Sequence, residues 1–359
     1  MAGAVGARPK LRSRKYGAAI PLDELDRQLL NLMQGKFPLH PRPYAQVGKL
    51  AGVNEDDVLA RIVRLIDERI IRQVTPIFDT RALGYSSMLV AAKVDAENPH
   101  RPAQIINSHP GVSHNYLRNH EFNLWFTIAT EPDSKLGLDG TLEVLQELTG
   151  AESVRQLPTL TLFKINMDLE MVGDTDALAS AAVAAPPREL DPIELSDLDI
   201  AVIRELQGDL PAVPEPYQAT ADALGLPVDR LLDHLAGMRE RGALRRVAAI
   251  LYHRRAGFSA NGMGVWKVPE EDIDEVGPRM AAYRGISHCY RRPTYPDWPY
   301  SVFTMAHGRS KDECDAILDR IAEDTGIDER AVLYSSTEFK KIRLLYFTDE
   351  HKRWEAEHA

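Results

Sequence analysis

The chain has 359 residues, of which 44% are hydrophobic and 27% charged, and its formal net charge is −10 at pH 7. These values are typical of a globular protein with more than one core. The acidity disfavours a nucleic-acid partner, because that affinity depends mostly on neutralising phosphates with lysine and arginine. The two cysteines, Cys289 and Cys314, exclude a disulfide framework and a four-cysteine metal site.

Residues 1–20 are basic but lack the apolar core of a signal peptide, so they are predicted to form a disordered leader. No later stretch approaches the ~18 uninterrupted apolar residues that a membrane span needs. We therefore expect no membrane partner and a cytoplasmic location.

Residues 21–79 carry the pattern of a winged helix-turn-helix domain. Asp23 is placed to cap a first amphipathic helix, and a second helix over Tyr44–Ala51 is followed by a glycine. Asn54 is placed to cap a third helix, and Ile70–Phe78 has the composition of a β-strand wing.

Residues 80–173 alternate between strand and helix patterns in the order βαββαβ, which is the ferredoxin-like arrangement. The predicted strands are Ser87–Val94, Ser113–Arg118, Leu124–Thr130 and Thr159–Met167. The predicted helices are Arg101–Ser108 and Gly140–Thr149. The first half of the chain is therefore predicted to contain two domains.

The whole pattern recurs about 173 residues later, where Gly111-Val-Ser-His-Asn-Tyr-Leu-Arg118 corresponds to Gly285-Ile-Ser-His-Cys-Tyr-Arg-Arg292. The predicted later units are a linker over 174–189, a second winged helix-turn-helix over 190–252 and a second ferredoxin-like domain over 253–350. The predicted fold is α+β, a tandem duplication of winged helix-turn-helix plus ferredoxin-like domain. Such a chain is a covalently fused pseudo-dimer.

A winged helix-turn-helix followed by a ferredoxin-like domain resembles the Lrp/AsnC family of transcription regulators. Two segments, His114–Phe126 and His288–Tyr300, resemble more narrowly the siroheme decarboxylases, in which two Lrp-like subunits pair as a heterodimer. The second segment contains the unusual run Pro-Asp-Trp-Pro-Tyr. The resemblance covers Leu22–Phe347 and is to the fused form, similar to the haem d1 biosynthesis enzyme.

This resemblance implies a carboxy-lyase reaction in which CO2 is removed from the C12 and C18 acetates of siroheme. The product is didecarboxysiroheme, an intermediate of haem d1 or of an alternative haem pathway. The implied scheme needs no cofactor, because the iron arrives within the siroheme substrate. No separate metal site is expected.

Two other functions remain open: an Lrp-type DNA-binding regulator that senses a small molecule, and a non-catalytic tetrapyrrole carrier. The first turn of the predicted recognition helix is Asn54-Glu-Asp-Asp57, and its carboxylates would repel DNA phosphates. Arg61 and Arg64 remain candidates for phosphate contact. Because the two recognition helices also differ, we expect no nucleic-acid partner.

A repeated His-x-Tyr-x-Arg pattern marks the candidate catalytic residues. Side chains alternate along a strand, so His288, Tyr290 and Arg292 share one face, as do the corresponding residues of the first half. An imidazole is the natural proton donor near neutral pH. His114 and His288 are therefore the predicted general acids, with Tyr290 as a weaker donor, and one histidine has iron ligation as an alternative role.

Siroheme combines a flat apolar macrocycle with many carboxylates, so the implied site needs cations at its rim and aromatic walls. The predicted substrate-binding residues are Arg118, Arg291, Arg292, Lys164, Lys340, Tyr295 and Trp298. The second half carries more of these groups, so it is expected to make most of the substrate contacts. Two fused chains are expected to be able to pair further as a homodimer.

Overall fold

The computed structural model describes residues 22–35, 37–165, 191–252 and 260–359. The predicted leader over 1–20 and the predicted linker over 174–189 lie outside these residues. The described part confirms the predicted fold class, because a winged helix-turn-helix and a ferredoxin-like domain follow each other twice along the chain.

The elements of the first half are α1 (Glu24–Gly35), α2 (Pro43–Ala51), α3 (Glu55–Asp67), β1 (Ile71–Phe78), β2 (Ser86–Lys93), α4 (His100–Ser108), β3 (Val112–Arg118), β4 (Leu124–Thr130), α5 (Gly137–Thr149), β5 (Ser153–Leu157) and β6 (Thr161–Ile165). Those of the second half are α6 (Asp197–Leu206), α7 (Gln218–Ala223), α8 (Val228–Glu240), β7 (Leu244–Leu251), β8 (Ala260–Trp266), α9 (Ile273–Ala281), β9 (Ile286–Arg291), β10 (Val302–Gly308), α10 (Lys311–Thr325), β11 (Arg330–Lys341) and α11 (Asp349–His358). Within the described ranges, every helix is too short or too polar to cross a bilayer.

The helix starts of the first winged domain follow the predicted capping residues. The Asp23 carboxylate accepts the backbone N–H of Asp26 at 2.7 Å, and the Asn54 side chain accepts that of Asp57 at 2.8 Å. Each bond satisfies a donor that the first helical turn would otherwise leave without a partner.

The two wing strands pair with each other, antiparallel, as a two-stranded sheet in which Val74 lies opposite Ala249. The helices behind them share one buried cluster, in which Leu29 of α1 and Leu235 of α8 are both fully buried. A lone wing strand would leave a row of backbone groups unpaired, and pairing across the halves satisfies them. The winged domains therefore hold the two halves together.

The two ferredoxin-like domains form one nine-stranded sheet in the order β5-β2-β4-β3-β11-β8-β10-β9-β6. Strand β6 follows β5 in the chain but pairs with β9 of the other half. Strand β11 pairs with β8 through its first part and with β3 of the other half through its last part. Each half therefore contributes a strand to the sheet of the other.

The predicted closing strands differ from the observed ones for this reason. Thr159–Met167 was expected to complete the first sheet, but β5 does so, and β6 extends the second sheet instead. The last strand of the second half, β11, runs from Arg330 to Lys341. Strand periodicity indicates the face of a side chain but does not identify the partner strand.

Helices α4, α5, α9 and α10 pack on one side of the sheet. A separate buried cluster lies between the two halves of the sheet, with Trp125 and Trp298 at its centre, their rings 5.2 Å apart. This inner side brings the two repeated strands β3 and β9 to one cavity.

Candidate active site

A cavity of about 400 Å³ lies between the two ferredoxin-like domains. Both halves contribute to its wall: Leu89, His114, Tyr116, Arg118, Trp125, Phe126, Thr127, Asn261, Met263, His288, Tyr290, Arg292, Phe303, Thr304, Met305 and His307. Its volume falls within the range of small-molecule sites, and its wall combines apolar side chains with a few polar groups, as such sites do.

The two His-x-Tyr-x-Arg rows face this cavity, in the alternation predicted from the sequence. The His114 and Tyr116 rings lie 6.2 Å apart, and those of His288 and Tyr290 lie 6.0 Å apart. The Arg292 guanidinium lies 4.8 Å from the centre of the Tyr290 ring. The cavity thus holds two similar sets of imidazole, phenol and guanidinium, one from each half.

Arg118 and Arg292 are cations of the cavity wall, Arg292 buried and Arg118 partly buried, and no carboxylate of the described residues pairs with either. Arg118 donates from Nη1 to the backbone oxygen of Leu333 at 3.0 Å, and Arg292 donates to that of Leu157, so each bond crosses between the halves. Neither forms an ion pair within the described residues, and the Nε of each lacks a hydrogen-bond acceptor there.

Burial lowers the pKa of Arg118 and of Arg292 to about 10. Removing a charge from water without a partner costs several kcal/mol, on the order of the penalties seen for buried ions. An anionic ligand would offset this cost with charge-assisted hydrogen bonds to the guanidinium groups. The arginines therefore favour a carboxylate-bearing occupant.

His114 and His288 are each held through Nδ1 by the preceding serine. Ser113 Oγ lies 3.0 Å from Nδ1 of His114, and Ser287 Oγ lies 2.6 Å from Nδ1 of His288. Burial lowers the pKa of both imidazoles, and Lys341 lowers that of His114 further. Each ring is therefore neutral at pH 7 in the protein alone and presents Nε2 as its second nitrogen.

Three of the predicted substrate-binding cations lie outside the cavity. Arg291 pairs with Glu270, which is itself exposed to solvent. Lys164 donates to the backbone oxygen of Tyr283 at 2.9 Å, and Lys340 donates to that of Asn107 at 2.8 Å. Lys164 lies opposite Cys289, whose side chain faces helix α9, and Lys340 lies opposite Asn115, whose side chain faces helix α4. Residues that lie opposite each other in a sheet point to the same face, so both lysines point to the helix-covered side.

Trp298 belongs to the buried cluster that packs against the cavity wall, and Tyr295 packs against that cluster. Trp298 is fully buried and contacts the Trp125 and Tyr300 rings, at 5.2 and 4.9 Å. The Tyr295 hydroxyl donates to the backbone oxygen of Gln156 at 2.7 Å. The proline-rich loop over 293–299 therefore connects the second half to β5 of the first half. Both residues were predicted to wall the macrocycle, but neither lines the cavity.

Two polar cavity residues, Asn261 and His307, were missed in the sequence analysis. Neither belongs to the repeated His-x-Tyr-x-Arg pattern, so the comparison of the two halves gives no signal for them. The strand pairing shows that Ala129 of the first half corresponds to His307. Ser87 of the first half corresponds to Asn261. The signal that would have found His307 is alternation along β10, since it lies two residues from Met305, which faces His288.

Family models match the chain twice along its length, in agreement with the duplication. An AsnC-like ligand-binding domain matches residues 82–164 and 255–340, and a siroheme decarboxylase NirDL-like helix-turn-helix domain matches residues 26–72 and 199–245. The siroheme decarboxylase of Hydrogenobacter thermophilus is 36% identical over 92% of this chain and 97% of its own length. The siroheme decarboxylase NirDL subunit of Paracoccus denitrificans is 34% identical over 83% and 89%.

The solved structures give the same result. The crystal structure of the siroheme decarboxylase NirDL matches with a TM-score of 0.76 and 33% identity, over 93% of this chain and 98% of that one. A second NirDL structure, in co-complex with an iron-uroporphyrin III analogue, matches with a TM-score of 0.75 and 32% identity over the same shares. With the repeated domains, the shared architecture and relatives matched over nearly their whole length, the chain belongs to the siroheme decarboxylase family.

Proposed function

We propose that this chain is a siroheme decarboxylase, a carboxy-lyase that removes CO2 from two acetate side chains of siroheme. The observation that carries the proposal is the pair of cavity arginines, Arg118 and Arg292, which share the cavity with three histidines and lack carboxylate partners in the described residues. Its family membership supplies the substrate class.

Substrate binding follows from the chemistry of the wall. Leu89, Met263 and Met305 offer apolar surface to the macrocycle. The planar forks of Arg118 and Arg292 are suited to bind carboxylates with two parallel hydrogen bonds. The reacting acetate then lies away from water, where its charge is less stabilised than in bulk solvent.

The reaction consumes one proton for each CO2. Protonation turns the conjugated macrocycle into an electron acceptor, so the bond between the acetate methylene and its carboxyl carbon can break. CO2 leaves, and the electron pair of that bond forms an exocyclic double bond to the ring. A proton added to the methylene gives the methyl group, and the ring releases the proton that it had taken up.

His114, His288 and Tyr290 are the proposed proton donors. The imidazoles are neutral in the empty cavity, but incoming carboxylates favour their charged form and raise their pKa. Each then has a proton to deliver from Nε2. Burial raises the pKa of Tyr290, which keeps its hydroxyl protonated as a hydrogen-bond donor.

The test is anaerobic incubation of the purified chain with siroheme, followed by mass spectrometry of the tetrapyrrole. Stepwise loss of two CO2 units is expected, and its absence with bound, unchanged siroheme would favour a carrier. Replacing both His114 and His288 by alanine is expected to lower the rate by roughly 10²-fold or more. His100→Ala is the control, since this exposed residue contacts only Phe339 among the described aromatic rings.

The DNA-binding alternative is not favoured, and the described contacts add a reason. Arg61 and Arg64, the candidates for phosphate contact, bind the Asp26 carboxylate at 2.8 and 2.6 Å. Arg241 of the second half binds Asp199 at 2.6 Å in the same way. The absence of a nucleic-acid partner, the cytoplasmic location and the homodimer of fused chains stay predictions.

A further inference from the structure

We propose that Asn261, His307 and Ser287 form a chain of positioning residues that fixes the tautomer of His288, and that this chain makes the two halves of the cavity chemically unequal. The inference rests on the proposed function, because it states which ring nitrogen of the proposed proton donor His288 carries the proton. His307 and Asn261 lie in the second half alone and have no counterpart of their type at the paired positions of the first half.

The side chains of the positioning residues and His288 form an unbroken series of contacts at hydrogen-bond distances. Ser287 Oγ lies 2.6 Å from Nδ1 of His288 and 2.5 Å from Nε2 of His307. Nδ1 of His307 lies 2.8 Å from the side-chain oxygen of Asn261. A register irregularity between β9 and β10 leaves Ser287 outside the regular pairing, so its hydroxyl reaches both rings.

The direction of each hydrogen bond follows from Asn261, the last of the positioning residues. The Asn261 oxygen only accepts, so Nδ1 of His307 carries a proton, and we take the second nitrogen, Nε2, as the acceptor of a singly protonated ring. Nε2 must then receive the hydroxyl proton of Ser287. The serine oxygen in turn accepts from Nδ1 of His288, which therefore carries the proton in the neutral ring.

This direction leaves the lone pair of Nε2 of His288 available to a ligand in the cavity. When His288 takes up a proton, the proton enters at Nε2, and the bond from Nδ1 to Ser287 is unchanged. The imidazole can therefore gain and lose a proton without rearranging its partners, and proton exchange with the substrate occurs at one nitrogen. Such preorganisation avoids a reorganisation cost during the reaction.

His114 lacks this constraint. Its Nδ1 lies 3.0 Å from Ser113 Oγ and 3.4 Å from Thr127 Oγ1, and the two hydroxyls lie 2.7 Å from each other. A hydroxyl donates or accepts equally well, so this network accommodates either tautomer. Only the second half holds its histidine in a single form, within the part of the chain that the structure describes.

The first readout is spectroscopic and needs no siroheme. In the full-length chain labelled with ¹⁵N-histidine, long-range ¹H–¹⁵N spectra at pH 8 report which ring nitrogen carries the proton, and the His288→Gln variant assigns the signals. His288 is expected in the Nδ1–H form. His307→Gln keeps an acceptor for Ser287 and is expected to retain that form, whereas His307→Ala is expected to give a mixture of tautomers.

The second readout is turnover of siroheme by the same variants. His307→Ala is expected to lower kcat by about tenfold or more with little change in KM, as loss of an outer hydrogen-bond partner commonly does. His307→Gln is expected to recover most of that loss, and the exposed control His100→Gln is expected to match the unmodified chain.

The outcomes separate this inference from the proposed function. An Nε2–H form of His288 in the unmodified chain, or an unchanged tautomer in His307→Ala, overturns the inference whether or not siroheme is consumed. An unmodified chain that shows the expected tautomer but releases no CO2 overturns the proposed function and leaves the positioning chain intact.

Discussion

At the scale of single residues, neighbouring arginines with similar sequence contexts have opposite environments. Arg292 is buried at the cavity with its guanidinium 4.8 Å from the Tyr290 ring, whereas Arg291 pairs with the exposed Glu270. Strand alternation alone separates them, since successive side chains point to opposite faces. The pair therefore provides a matched test of which face binds the substrate.

Arg292→Gln is expected to weaken siroheme binding by roughly tenfold to a hundredfold, because a hydrogen bond to a charged group contributes about 1.5–3 kcal/mol. Arg291→Gln is expected to change it by less than about twofold, in line with the small contribution of surface ion pairs. Titration of each variant with siroheme, followed by visible absorption, gives the two dissociation constants. Equal weakening by both substitutions would contradict the placement of the binding site on the inner face.

At the scale of elements, the C-terminal helix α11 is attached to the first half through neutral histidines. His351 of α11 lies 5.6 Å from the ring of His109, and Trp354 lies 4.5 Å from it. Burial lowers the pKa of His109 to about 3 and that of His351 to about 4. Both rings are therefore neutral when α11 is packed.

This packing is expected to weaken in acid. A histidine with a lowered folded pKa binds its proton more readily in the unfolded state, so stability falls as the pH drops from about 6.5 towards 4. Each such group contributes a slope of up to about 1.4 kcal/mol per pH unit. The buried Glu131, whose pKa burial raises, acts in the opposite direction but is a single group.

Hydrogen exchange of α11 at pH 7.5 and pH 5, with the free energy of unfolding at both, checks this expectation. His351→Gln removes one titrating group and is expected to reduce the loss of stability between the two pH values. A pH dependence identical to that of the unmodified chain would show that His351 does not contribute.

A second element-scale expectation concerns the contact between β6 and α9, which belong to different halves. A Cβ atom added at Gly277 of α9 would lie 2.4 Å from the ring of Phe163 on β6. Gly277→Ala is therefore expected to cost about 1–3 kcal/mol in the free energy of unfolding, the usual penalty of overpacking.

Gly237→Ala in α8 is the matched control, because a Cβ there meets nothing within 4 Å. It is expected to be neutral or to stabilise the helix by up to about 1 kcal/mol. Denaturant titrations of both variants measure the difference, and an unaffected Gly277→Ala protein would show that Phe163 moves aside at no cost.

The sequence predicts the helices, most strands and the facing of His288, Tyr290 and Arg292, because these depend on local periodicity and capping. It does not predict that β6 crosses to the other half, because pairing between distant strands leaves no local pattern. For the same reason Lys340 was placed at the substrate, although its strand position directs it to the carbonyl groups at the end of α4. His307 was missed because its importance depends on Ser287 of a neighbouring strand.

At the scale of the whole molecule, the site exists only when the halves are together. The backbone acceptor of Arg118 is Leu333, and that of Arg292 is Leu157, so each cation is oriented by the opposite half. Strands β6 and β11 and the paired wings β1 and β7 cross the same boundary. The covalent connection between the halves is therefore not what assembles the cavity.

Cleavage of the chain within residues 174–189, at an inserted protease site, is accordingly expected to leave the halves associated and turnover within about twofold of the intact chain. The crossing strands bury their backbone groups against the other half, and separating them would expose those groups and the apolar surface around Trp298. Size-exclusion chromatography of the cleaved protein and mass spectrometry of the tetrapyrrole measure both quantities. Each half expressed alone serves as the control and is expected to be inactive, since it lacks the cavity arginine and the candidate proton-donating histidine of the other half. A cleaved protein that separates into its halves would show that the linker is needed to hold the site together.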